Sequence, residues 1–229
     1  MTEVSPGAPG WFGKLVMLGD FAHRRLPQEF VTAWDEWLSQ CLTTSRSQLG
    51  PQWLDVYLGG PVWRFACAPR SLTEPWWFGV LMPSVDAVGR YFPLVVAQAS
   101  VAPPLSAPAL LDLEDWYRQV SQAALATLGA TTTLASFEAE LARCARLMFP
   151  LPPAAPTPAS PTDVGHFSRP APTSLAEWAQ VLTAPLLIHR YAGHSFWWPI
   201  QATGNDDSMN VVHGLPDPRQ FSLMLEGRW

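Results

Sequence analysis

The chain has 229 residues, 48% of them hydrophobic, which is ample material for a large buried core without covalent staples. A formal net charge of -5 and a pI near 5.5 leave no basic surplus to neutralise phosphates, so nucleic acids and acidic membrane surfaces are poor candidates for partners. Cys41, Cys67 and Cys144 are odd in number, far apart and set in apolar stretches, which suits small core residues in a reduced compartment.

From Met1 to Gly10 the chain carries Glu3, Pro6 and Pro9 and no basic region ahead of an apolar run, so no secretory signal is expected. No apolar stretch reaches membrane-spanning length, and a cytoplasmic location follows by elimination. Trp11 to Val16 is a strand candidate, with Gly19-Asp20-Phe21 as the turn after it. Pro27 can open a helix, and Phe30, Trp34, Trp37, Leu38, Cys41 and Leu42 recur at helical spacing until Gly50-Pro51. Beyond a short segment around Trp53 to Tyr57, strands are expected at Pro61–Ala68, Trp76–Met82 and Tyr91–Ala97. Their continuous apolar character implies a sheet covered on both faces. The loop from Pro83 to Arg90 is polar within apolar surroundings, a setting in which sites tend to lie.

Leu110–Leu128 and Ser136–Met148 have helical spacing. Eight prolines in the 23 residues from Pro150 to Pro172 rule out a regular helix there and suggest an extended excursion. A short helix over Ser174–Leu182, strands at Ser195–Ile200 and Met209–Val212, and a final helix within Asp217–Leu225 complete the reading. There is no internal repeat, and the C-terminal piece is too small to fold alone, so a single α/β domain with a mixed sheet flanked by helices is expected over residues 1–229.

Catalytic motifs are missing. Ser84 follows Pro83 without the glycines of a nucleophile elbow, and Gly10-Trp11-Phe12-Gly13-Lys14 lacks both the spacing and the following hydroxyl of a phosphate loop. His189, His194, Asp206, Asp207 and His213 match no zinc-ligand spacing, so solvated or structurally bonded histidines are the better reading and neither a metal nor another cofactor is expected. The charges Lys14, Asp20, Arg25, Arg64, Asp86 and Arg90, with Ser84, sit beside apolar or glycine-rich sequence. Burying them unpaired would cost several kcal/mol, so they should find partners, with Asp20 and Asp86 bound to arginines. Internal ion pairs that pin loops are the simpler role for this set; a shared recognition surface is the other. Adjacent tryptophans in a strand point to opposite faces, so one of Trp197 and Trp198 could stand exposed as an interface anchor, unless helices bury both.

The blocks Gly10–Leu15, Gly19–Phe21 with His23–Pro27, Trp34–Leu38, Pro61–Phe65, and Gly79–Asp86 with Val88–Leu94 resemble the TagF-type proteins of type VI secretion clusters, as does, more weakly, His194-Ser195-Phe196-Trp197-Trp198. The ordered blocks cover roughly residues 10 to 97. The resemblance implies a three-layer α/β/α sandwich and a post-translational repressor of secretion that contacts the forkhead-associated scaffold protein, Fha. Some members are fused to a PppA-type phosphatase domain, whose aspartate pattern is not found in this chain. On this reading the protein is not an enzyme. Two alternatives stay open: a hydrolase using Ser84 and Asp86 with His189 or His194 as base, and a structural subunit of the secretion machine.

Overall fold

The computed structural model describes residues 7–150, 175–200 and 208–229, with positions 175–182 as backbone only. Among the described residues seven strands form one sheet: β1 (Gly10–Gly13), β2 (Ala22–Arg24), β3 (Trp63–Cys67), β4 (Trp76–Met82), β5 (Leu94–Ser100), β6 (His194–Pro199) and β7 (Asn210–His213). Their order is β2-β1-β5-β4-β3-β6-β7, and every pairing is antiparallel. The expected mixed sheet is therefore corrected to an antiparallel one. The apolar runs report coverage of both faces, which an antiparallel sheet acquires equally well when helices pack on each side.

Alternation along the strands sorts the core into two clusters. Trp76, Phe78, Val80 and Met82 of β4 join Leu94 and Val96 of β5 and Trp11 of β1 on one face. They pack against α3 (Ala107–Ala126), through Leu113, Trp116, Tyr117 and Val120, and α4 (Leu134–Arg143), through Phe137 and Leu141. On the other face Trp77, Leu81, Phe65, Cys67, Val95 and Trp197 meet α1 (Gln28–Leu49), α2 (Trp53–Leu58) and the C-terminal α6 (Phe221–Leu225). Gly79 has a specific reason to be glycine: an added Cβ would collide with the Phe65 ring and stand 2.5 Å from the Val96 carbonyl.

The helix read at 27–49 is α1, and Pro27 is its N-cap, where a missing N–H is harmless. The helix read at Ser136–Met148 starts two residues earlier, because Thr133 and Ser136 form a reciprocal capping box, and stops at Arg143. The strand read from Tyr91 starts at Leu94, since Pro93 has no N–H for a ladder. The helix read at Ser174–Leu182 is α5 (Leu175–Tyr191), which runs on through Pro185; Ser174 and residues 151–172 of the expected excursion lie outside the described residues. All three cysteines are free and buried.

Candidate functional site

The loop between β4 and β5 folds back on itself, with Val85 bridging Tyr91 and the Phe92 N–H bonded to the Ser84 carbonyl at 3.1 Å. Gly89, at φ 84°, makes the turn that lets Asp86 receive its own loop's amides. Asp86 is buried and accepts four hydrogen bonds. Oδ1 takes the backbone N–H groups of Val88 (3.0 Å) and Arg90 (2.9 Å), and Oδ2 takes Lys14 Nζ (2.8 Å) and Arg90 Nε (2.7 Å). Burial alone would push the carboxyl up, but the bonds from Lys14, Arg90 and Val88 outweigh it and hold Asp86 well below the usual carboxylate range.

Lys14, the sole lysine, is 3% exposed and reaches Asp86 from the segment after β1. Its carbonyl accepts the Ser84 hydroxyl at 2.7 Å. Tyr57 of α2 pins the same loop from below: its hydroxyl donates to the Ser84 carbonyl (2.8 Å) and accepts from the Ser84 N–H (3.0 Å). Above this base, the Arg90 guanidinium bonds the Gly19 carbonyl and lies 3.8 Å from Asp20, while the Ala87 N–H bonds Leu18 O at 2.8 Å. The Phe21 ring meets Phe92 edge-on at 4.8 Å and carries Lys14 Nζ 4.7 Å from its centre, yet remains 47% exposed. Val88, in the β4–β5 loop, is 68% exposed. Two loops are thus locked by a satisfied polar core and present Asp20, Phe21, Val88 and Arg90 outward.

The sequence-derived set divides. Lys14, Asp20, Ser84, Asp86 and Arg90 come together, whereas Arg25 and Arg64 do not join them. Arg25 bonds Pro9 O (2.9 Å) and Glu138 of α4 (2.6 Å), where Glu138 also receives the Trp11 indole N–H at 2.6 Å. Arg64 projects from β3 toward α3 and pairs with Glu114 at 2.8 Å. Trp197 cannot anchor a partner. It is fully buried between Phe65, Trp34 and Trp37, while Trp198 is partly buried, edge-on to Tyr117 at 5.2 Å. Sequence reasoning missed Tyr57 and Phe21.

The hydrolase alternative needs a histidine at Ser84. His194 starts β6, and its neighbour Ser195 lies opposite Cys67, itself opposite Trp77. The far end of β4, Met82, is five residues and about 17 Å further along, and Ser84 lies two residues beyond it, so His194 and Ser84 sit at opposite ends of the sheet. The Ser84 proton is engaged by the Lys14 carbonyl. Burial raises the thiols of Cys67, to about 12, and Cys144, to about 11, away from nucleophilic thiolates. Among the described residues no helix is long and apolar enough to cross a membrane, and no three His, Cys, Asp or Glu side chains gather where they could share a metal ion.

The fold and the loop define an α/β protein with a rigidly braced, solvent-facing pair of loops at one end of an antiparallel sheet. The model of the TagF N-terminal domain, type VI secretion system-associated, matches residues 10–144, and the chain belongs to this family. Its structure is similar to the crystal structure of PA0076 from Pseudomonas aeruginosa PAO1, with 33% identity, a TM-score of 0.71, and coverage of 96% of this chain and 94% of that one. Among curated proteins none matches.

Proposed function

We propose that the chain is a cytoplasmic, non-catalytic repressor of type VI secretion that acts after translation by binding the forkhead-associated scaffold protein, Fha, through the surface formed by Asp20, Phe21, Val88 and Arg90. Family membership over residues 10–144 carries the reading. The braced loops supply the local support: an arginine and an aromatic ring held in place before any partner arrives lose little freedom on binding, and both residue types are enriched at the energetic centres of interfaces. Repression then works by occupancy, since a scaffold held in this complex is withdrawn from assembly in proportion to its differential affinity for the two states. The two core clusters on opposite sheet faces favour the three-layer arrangement, and strands β6 and β7 closing the sheet favour one domain over residues 1–229.

Co-purification of the tagged chain with the scaffold from the same gene cluster tests the reading, beside an Arg90→Glu variant whose fold is checked by circular dichroism. Capture by the wild type and loss in the folded variant is the expected result. Failure of the wild type to capture the scaffold overturns the repressor mechanism.

A further inference from the structure

Among the described histidines, His194 and His213 form a cross-strand pair between β6 and β7. Next to them the Gly214 N–H donates to the Gly193 carbonyl at 2.7 Å, so the histidines occupy the non-hydrogen-bonded register, in which opposing side chains come closest. Their ring centres are 5.4 Å apart, with planes at 79°. A tetrahedral metal ion bound at about 2.0–2.1 Å by one nitrogen of each of two imidazoles holds the ring centres roughly 5 Å apart. The pair already has that spacing.

The placement of the ring nitrogens fits as well. His194 Nδ1 lies 3.1 Å from the Ala192 carbonyl, and in the tautomer in which Nδ1 donates to that carbonyl the Nε2 lone pair is left for an ion. A backbone carbonyl on the far nitrogen is how metal-binding imidazoles are commonly oriented. Gly193, at φ 81°, keeps room for the second ring: a Cβ there would lie 3.1 Å from His213 Nε2. His213 is exposed and His194 half-buried, so an ion can reach both.

We propose that His194 and His213 bind a divalent late first-row metal ion of the zinc class, with two coordination positions left to water. Imidazole is a favoured ligand for such ions, and two imidazoles without a third protein ligand among the described residues make an open site of moderate affinity. The ion would tie the edge strand β7 to β6, at the end of the sheet remote from Asp86.

The test is calorimetric titration of untagged, chelator-treated protein with zinc chloride, using the wild type and the His194→Gln, His213→Gln and His189→Gln variants. One equivalent should bind to the wild type and to His189→Gln, with affinity weakened about tenfold or more in His194→Gln and His213→Gln. No binding by the wild type up to about 1 mM zinc overturns the site. Affinity unchanged by His213→Gln overturns it too, since the ion would then sit elsewhere. If His194→Gln does not fold, the exposed His213 position decides alone.

Discussion

Replacing Tyr57 by Phe removes one oxygen atom and leaves the ring's contacts with Trp53 and Tyr91 in place, so it isolates what braces the β4–β5 loop. The hydroxyl makes two hydrogen bonds to Ser84, and their loss is unequal. The Ser84 carbonyl retains the Phe92 N–H, but the buried Ser84 N–H has no other protein acceptor among the described bonds. An orphaned buried donor costs about 1–3 kcal/mol, so Tyr57→Phe should lose roughly 2 kcal/mol. For a chain of 229 residues this lowers Tm by about 4–8 °C. Tyr117→Phe is the matched control. Its hydroxyl donates a single bond, at 2.6 Å, to the carbonyl of Phe65, a residue in a strand paired on both sides, and its loss should cost about 1 kcal/mol. Urea unfolding gives both values, and hydrogen exchange should show the Ser84 and Phe92 amides released early in Tyr57→Phe only. A loss below about 0.5 kcal/mol, or one no larger than that of Tyr117→Phe, would refute the bracing role.

The lowered pKa of Asp86 makes the unfolded chain the first to bind its proton, so the stability it contributes is present above about pH 4 and drains away as pH falls below that. Asp86→Asn should therefore flatten the decline of stability on acidification; Asp217, held down to about 2 by the bonds from Arg219, acts in the same direction and leaves a remainder of the slope. Chemical unfolding at a series of pH values measures it, and a slope identical to the wild type contradicts the assignment. Gly79→Ala drives a methyl into the Phe65 ring and the Val96 carbonyl in the middle of β4, and should cost about 1–3 kcal/mol in urea unfolding. An amine-reactive ester should modify Lys14 at least about tenfold more slowly in the native protein than in urea, as read by peptide mass spectrometry, because its ammonium is buried against Asp86.

What could be read in the sequence was whatever leaves a periodic or compositional mark. Phe30, Trp34, Trp37, Leu38, Cys41 and Leu42 announce α1 because all of them face the core, and Trp76–Met82 matches β4 at both ends because every residue of it is buried. The three residues of β2 went unread: Ala22, His23 and Arg24 are only partly buried or exposed, so they carry no alternation. The extent of α5 was hidden by Pro185, a residue that normally ends a helix. Strand direction was illegible because helices cover both faces in either case.

The site followed the same rule. Asp86 was legible as the partner of an arginine, and Lys14 as a charge in need of a partner though not of this one, because charges in apolar sequence must be neutralised where they are buried. Arg25 and Arg64 obeyed that rule with other partners, Glu138 and Glu114, which lie on helices whose charged residues read as solvated. Tyr57 contributes a hydroxyl across 27 residues of chain, and such a contact leaves no pattern at all. Trp197 and Trp198 were correctly placed on opposite strand faces, but which face the helices fill is a property of packing.

The proposed surface is tested most directly by a binding titration of the purified chain against the purified forkhead-associated scaffold, with an Asp20→Arg, Val88→Asp double variant. Leu111→Ser, on α3 and 71% exposed, serves as the control. Both substituted loop positions are exposed, so folding should persist. A dissociation constant raised roughly a hundredfold in the double variant, and unchanged in the control, is the expected result. Undiminished binding by the folded double variant would contradict the assignment of this surface.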